Sequence, residues 1–129
     1  MAERYLIDTS AVIKYLNGSF ANSGLVFMDN IVDEECNLSF ISEIELQVWN
    51  PKNPEDIAVY QEFVLNSIVS GIDDTIIAET IQIRKSFNLK LPDAIIAATC
   101  LINQFTLIAD NDKDFQRVKS LKVINPNNL

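Results

Sequence analysis

The stretch YLIDTSAVIKYL, residues 5–16, decides how this chain is read. Tyr5, Leu6 and Ile7 form a short apolar run of strand-like composition. Asp8, Thr9 and Ser10 cut it off, and Val12, Ile13 and Leu16 then recur at helical spacing. The pattern predicts strand, turn, helix. A carboxylate just past a buried first strand lies where open α/β sheets place their ligand crevice, outside the carboxyl ends of the strands, so Asp8 is the first candidate for chemistry. The plainer alternative is that Asp8, Thr9 or Ser10 only caps the helix, its side-chain oxygen accepting from a first-turn N–H.

Outward from this stretch the same alternation continues. Asn17 and Gly18 stop the first helix, Gly being the residue that takes the left-handed closing conformation. A helix is predicted from about Ser23 to Glu35 on the face of Leu25, Val26, Met28, Ile31 and Val32. A strand over Leu38 to Ile41 follows, then a short helix from Ser42 to Trp49. Pro51 and Pro54 break the chain, and Asn53 followed by proline reads as the cap of a helix carried by Ile57, Tyr60, Phe63, Val64 and Ile68. A short strand near Ser67 to Ile72 leads to a helix from Ile76 to about Phe87. Pro92 then opens a helix from Asp93 to Asn103 that is apolar all round and therefore expected to be buried on most sides. Strands at Thr106 to Ala109 and Leu121 to Ile124 flank the acidic turn Asp110 to Asp114, and the chain closes on the polar NPNNL. Strands alternating with helices predict a parallel sheet within a three-layer α/β sandwich, in one domain over residues 1–129.

Composition narrows the chemistry. No apolar run nears the ~20 residues of a membrane span, and MAERYLID lacks a signal peptide's apolar region, so a soluble, cytoplasmic protein is expected. Cys36 and Cys100 lie in apolar stretches without metal-binding spacing and read as buried thiols. A net charge of −8 argues against a broad basic face for nucleic acid. The complete absence of histidine excludes Ser-His-Asp and Cys-His hydrolases and every His-containing zinc site. Any catalysis must run on carboxylates.

Three further regions put acids at comparable places: Glu43 and Glu45 after the second strand, Asp93 at the start of the buried helix, and Asp110, Asp112 and Asp114 after the Thr106 strand. Each has an ordinary explanation. Ser42 and Glu45 fit a capping box, Asp93 could complement its helix dipole, and the acidic turn could be solvated. Converging in one crevice, however, four carboxylates would repel one another and call for a hard cation, Mg²⁺ or Mn²⁺, which activates water for in-line attack on a phosphodiester.

The pieces LIDTSAVI, SFISEIEL, LKLPDAIIAATCL and LIADNDKDF with LKVINP, in this order along the chain, resemble the PIN-domain ribonucleases, and among them the VapC-type toxins of prokaryotic toxin–antitoxin pairs. The resemblance implies a PIN-like fold and a Mg²⁺- or Mn²⁺-dependent endoribonuclease. It also implies an RNA substrate, a cognate antitoxin and a homodimer. Asp8, Glu45, Asp93 and Asp114 carry over as the catalytic and metal-holding acids, with Thr9, Ser10, Ser42 and Asn111 in support. Glu45 is preferred to Glu43 because it stands three residues after Ser42 and directly before Leu46, as the family's acid does. Ala109 departs from the family's usual Thr, and Asp110 and Asp112 add charge that the pattern lacks. The alternatives are a silent PIN-like interaction domain and a receiver-like phosphoacceptor domain; the latter needs an acidic pair at the first strand, where Asp8 stands alone. Phe20, Leu25, Phe27 and Met28 are candidate groove residues for an antitoxin, or else plain core.

Overall fold

A computed structural model describes residues 3–129. The first strand, β1 (Arg4–Ile7), feeds α1 (Thr9–Leu16) and α2 (Asn22–Glu34). β2 (Asn37–Ser39) runs directly into α3 (Phe40–Val48), and α4 (Asp56–Leu65) precedes β3 (Ile68–Ser70). Then come α5 (Asp74–Ser86), α6 (Leu91–Asn103), β4 (Phe105–Ile108) and β5 (Val123–Ile124). All strand pairs are parallel, in the order β3-β2-β1-β4-β5.

Side chains that alternate along a strand point to opposite faces, and the core divides accordingly. Leu6 and Leu107 join α5 and α6 in one apolar cluster, with Ile83, Ile96 and Phe115. Ile7 and Ile108 join α1 and α2 in the other, with Val12, Met28 and Leu38. Helices thus cover both faces of the sheet, which is the expected three-layer PIN-like sandwich. The apolar helix is as enclosed as its composition demands: every residue from Ala94 to Cys100 is buried. It turns sharply into β4 through Gln104, which takes the left-handed conformation at φ 59°. Gly18 closes α1 in the same way at φ 67°. Cys36 and Cys100 are free and buried.

Several local expectations are corrected. The strand over Leu38 to Ile41 ends at Ser39, whose hydroxyl accepts from the Ile41 amide at 3.1 Å and starts α3 at Phe40. Ser42 is therefore a buried residue inside the helix, and the capping box with Glu45 does not form. Val26, Ile57 and Ile68, predicted to face the core, are exposed, whereas the groove candidates Phe20 and Met28 are core. The helix after Pro54 begins only at Asp56, because Asn53 closes a separate turn on Asp56. The polar end is ordered too: Pro126–Asn128 form a 3-10 turn, and a Cβ on Gly24 of α2 would collide with the Pro126 carbonyl.

Candidate active site

The chain goes from β1 outward to β2 and β3, then crosses back to β4 and β5, so the strand order reverses between β1 and β4. A crevice opens at such a point because the connections on either side leave in opposite directions. Asp8 occupies it, its amide donating to the Ile108 carbonyl of β4 at 2.8 Å.

Asp8 takes the N-cap position of α1, but its side chain makes no capping bond; the carboxylate accepts from Ser10 Oγ at 3.0 Å instead. Only the backbone half of the capping alternative holds, the Asp8 carbonyl accepting from Val12 at 3.0 Å. Burial pushes the Asp8 carboxyl up to about 6, the Ser10 bond opposes this, and the charges of Asp93 and Glu45 raise it further.

Glu45 reaches the crevice from α3. Its Oε1 lies 2.6 Å from Thr9 Oγ1, which is itself 2.9 Å from Ser42 Oγ. A carboxylate can only accept, so the single Thr9 proton goes to Glu45 and the Ser42 hydroxyl supplies the other bond. The residues that looked like a capping box thus form a relay that fixes Glu45 against α1.

Asp93 stands in the first turn of α6. Burial raises its carboxyl above the usual range, the charges of Asp114 and then Glu45 add to this, and Lys90 opposes it.

The turn after β4 sorts its own acids. The charge of Asp114 acts on Asp93, and its Oδ1 lies 3.2 Å from Arg117 Nη1. Asp110 is held away by Lys14 Nζ at 3.3 Å and Asn127 Nδ2 at 2.6 Å, while Asp112 accepts from Gln116 at 3.1 Å. Asn111 is exposed, and Ala109 is wholly buried. The Lys14 and Asn127 clamp was not foreseen; the adjacent Asn125 also donates to the Asp110 carbonyl at 2.8 Å. Nothing in the sequence pairs position 14 with position 127.

The donor set fits a hard divalent cation, since it is all oxygen, and Cys100 nearby has its thiol pushed up by burial and the charge of Asp8 and stays protonated. Among the described residues none of Asp8, Glu45 and Asp93 has a cation within ion-pair distance, and no three acids have drawn together enough to share an ion. A separate cavity of about 560 Å³, lined by Arg4, Gln104, Phe105 and Lys122, opens at the opposite edge of the sheet and holds none of these acids.

Comparison with known proteins accords with this geometry. The family model described as PIN domain matches residues 5–121. A toxin–antitoxin complex from Klebsiella pneumoniae superposes with a TM-score of 0.76 at 24% identity, covering 95% of this chain and 97% of that one. FitAcB from Neisseria gonorrhoeae gives 0.78 at 22%, and DNA-bound VapBC from Salmonella typhimurium gives 0.78 at 19%. Each of the two covers 97% of this chain and 99% of its own. A search of curated proteins gave no significant match.

Proposed function

Because the chain belongs to the PIN domain family, we propose that it is a divalent-metal-dependent endoribonuclease that acts as the toxin of a toxin–antitoxin pair. What supports this reading is that Asp8, Glu45 and Asp93, coming from three different elements, lie within electrostatic reach of one another at the switch point, with Asp114 within reach of Asp93. The resemblance of the fold to chains of a toxin–antitoxin complex and of VapBC and FitAB complexes supports the toxin role.

In this reading Asp8, Glu45, Asp93 and Asp114 would hold Mg²⁺ or Mn²⁺. Such an ion supplies positive charge at the scissile phosphate and a water that loses its proton near neutral pH. The chain's own part is positioning. Ser10 fixes one oxygen of Asp8, and Thr9 fixes one of Glu45. Asp93 is carried on the first turn of a buried helix, within reach of the charges of Glu45 and Asp114. Of the three acids in its turn, Asp114 is the one whose charge acts on Asp93, while Asp110 is taken up by its clamp.

Two partners follow from the same reading. A cavity of about 280 Å³ lined by Leu16, Val32, Val59 and Phe63 offers apolar contacts to an antitoxin segment; with Phe20 and Met28 in the core, it is the better candidate for a groove between the early helices. The exposed pairs Ile44 and Val48 on α3, and Ile77 and Ile81 on α5, support a homodimer. Among the described residues no helix is long and apolar enough to cross a membrane.

The test is incubation of the purified chain with a panel of structured RNAs in MgCl₂ or MnCl₂. Site-specific cleavage that stops in EDTA and in Asp93→Asn is expected. Intact RNA under all metal conditions, alongside tight binding of the antitoxin, would establish the silent interaction domain instead.

A further inference from the structure

Basic residues are scarce in this chain and unevenly placed. Residues 84–90 and 113–119 together hold six of the ten Lys and Arg but only one of the eighteen acids. The first stretch is the end of α5 and the linker into α6; the second is the connector between β4 and β5. Though distant in sequence, they lie side by side, because Arg117 Nη1 donates to the Asn88 carbonyl at 2.8 Å.

Both stretches border the acid crevice. Arg117 also touches Asp114, and Lys90 is the N-cap residue of α6, whose first turn carries Asp93. Arg84, Lys85, Lys90, Lys113, Arg117 and Lys119 are all exposed. Except for Arg117, none has a carboxylate within ion-pair distance among the described residues. By contrast Arg4, Lys14 and Lys122 are all paired with acids. In a chain so rich in acid, unpaired cations gathered on one rim of the proposed site need another source of negative charge.

We propose that this basic arc is the surface over which single-stranded RNA enters, its phosphates lying along α5, the linker and the β4–β5 connector so that one of them reaches Asp93. The inference rests on the nuclease reading above and deepens it. One protomer carries the whole arc. A polyanion suits the arc better than a folded acidic protein would, because the cations follow an open rim instead of lining a pocket.

The experiment measures binding of a fluorescent single-stranded 12-mer RNA to the chain carrying Asp8→Asn, which keeps the RNA intact, over a series of salt concentrations. Each phosphate contact to a single strand contributes about 0.7 to the slope of log affinity against log salt. Replacing Arg84, Lys85 and Lys119 by Gln is expected to lower that slope by about 2 and weaken binding at least tenfold at low salt. Lys122→Gln, at the far edge of the sheet, should change neither. If the triple variant binds with the slope of its parent while the wild type cleaves RNA in Mg²⁺, the arc is overturned and the nuclease reading stands. If the parent binds poly-glutamate but not RNA, the arc serves an acidic protein and the proposal fails. A chain that neither binds nor cleaves RNA overturns both.

Discussion

The Thr9 hydroxyl lies 2.6 Å from the Glu45 carboxylate, joining the start of the first helix to the middle of the third across the mouth of the sheet. Thr9 in turn is bonded to Ser42, which is fully buried, so the orientation of Glu45 is set from the core. Thr9→Val keeps the volume and removes the donor. It should lower RNA cleavage about tenfold or more, whereas Thr9→Ser should retain most activity, as single-turnover rates on one RNA will show. Equal rates in Thr9→Val and wild type would remove Thr9 from the site.

Glu45 and Glu43 are separable in the same way. With Ser39 as the cap of α3, Glu45 has no capping bond to lose, so Glu45→Gln should leave thermal stability nearly unchanged while abolishing cleavage. Glu43→Gln should be silent in both. Ser39→Ala is the stability counterpart, expected to cost about 1 kcal/mol in chemical denaturation.

Asp8 makes stability depend on pH. Its carboxyl titrates near 6 when folded and lower when unfolded, so between those values the folded state holds more protons. Stability should therefore be fully present below the unfolded value, fall as pH rises toward 6, and level off above it. In EDTA, Asp8→Asn should be more stable than wild type at pH 7.5, by up to about 2–3 kcal/mol, and equal to it at pH 3.5. Urea melts at the two pH values decide this, and a constant difference would mean that Asp8 is not strained by burial.

The acids of the β4–β5 turn should divide between chemistry and stability. Asp114→Asn is expected to reduce cleavage at least tenfold with little effect on folding. Asp110→Asn weakens the Lys14 and Asn127 clamp, with a loss of roughly 0.5–1 kcal/mol. The opposite pattern of activity would make Asp110 the fourth acid.

At the polar end of the chain, Gly24→Ala should destabilise by about 1–3 kcal/mol, since the new methyl meets the Pro126 carbonyl and one of them must move. Deleting residues 126–129 in the Gly24→Ala background should return much of that loss. If it does not, α2 rather than the terminal turn bears the strain.

The sequence by itself determined the layers, the strands and the acids' place in them. Alternation of short apolar runs with helical patterns dictates a parallel sheet. Asp8 and Asp93 sit at a strand end and a helix start, where a parallel fold brings them to one edge. The family's motif pattern favours Glu45 over Glu43, and the structure bonds Glu45 to Thr9. The tertiary structure alone decided what those side chains do there. Ser42 and Glu45 satisfy a local capping pattern, and only the packing of α1 against α3 shows Thr9 taking the carboxylate instead. Asp110, Asp112 and Asp114 are alike in sequence, and they are told apart by Lys14 and Asn127, whose separation along the chain no local pattern encodes. The basic arc is invisible for the same reason: its two halves lie almost thirty residues apart and become one surface through the bond from Arg117 to Asn88. Local propensity and periodicity act over a few residues, whereas hydrogen bonds and charge pairs depend on distance in space, which only the folded chain sets.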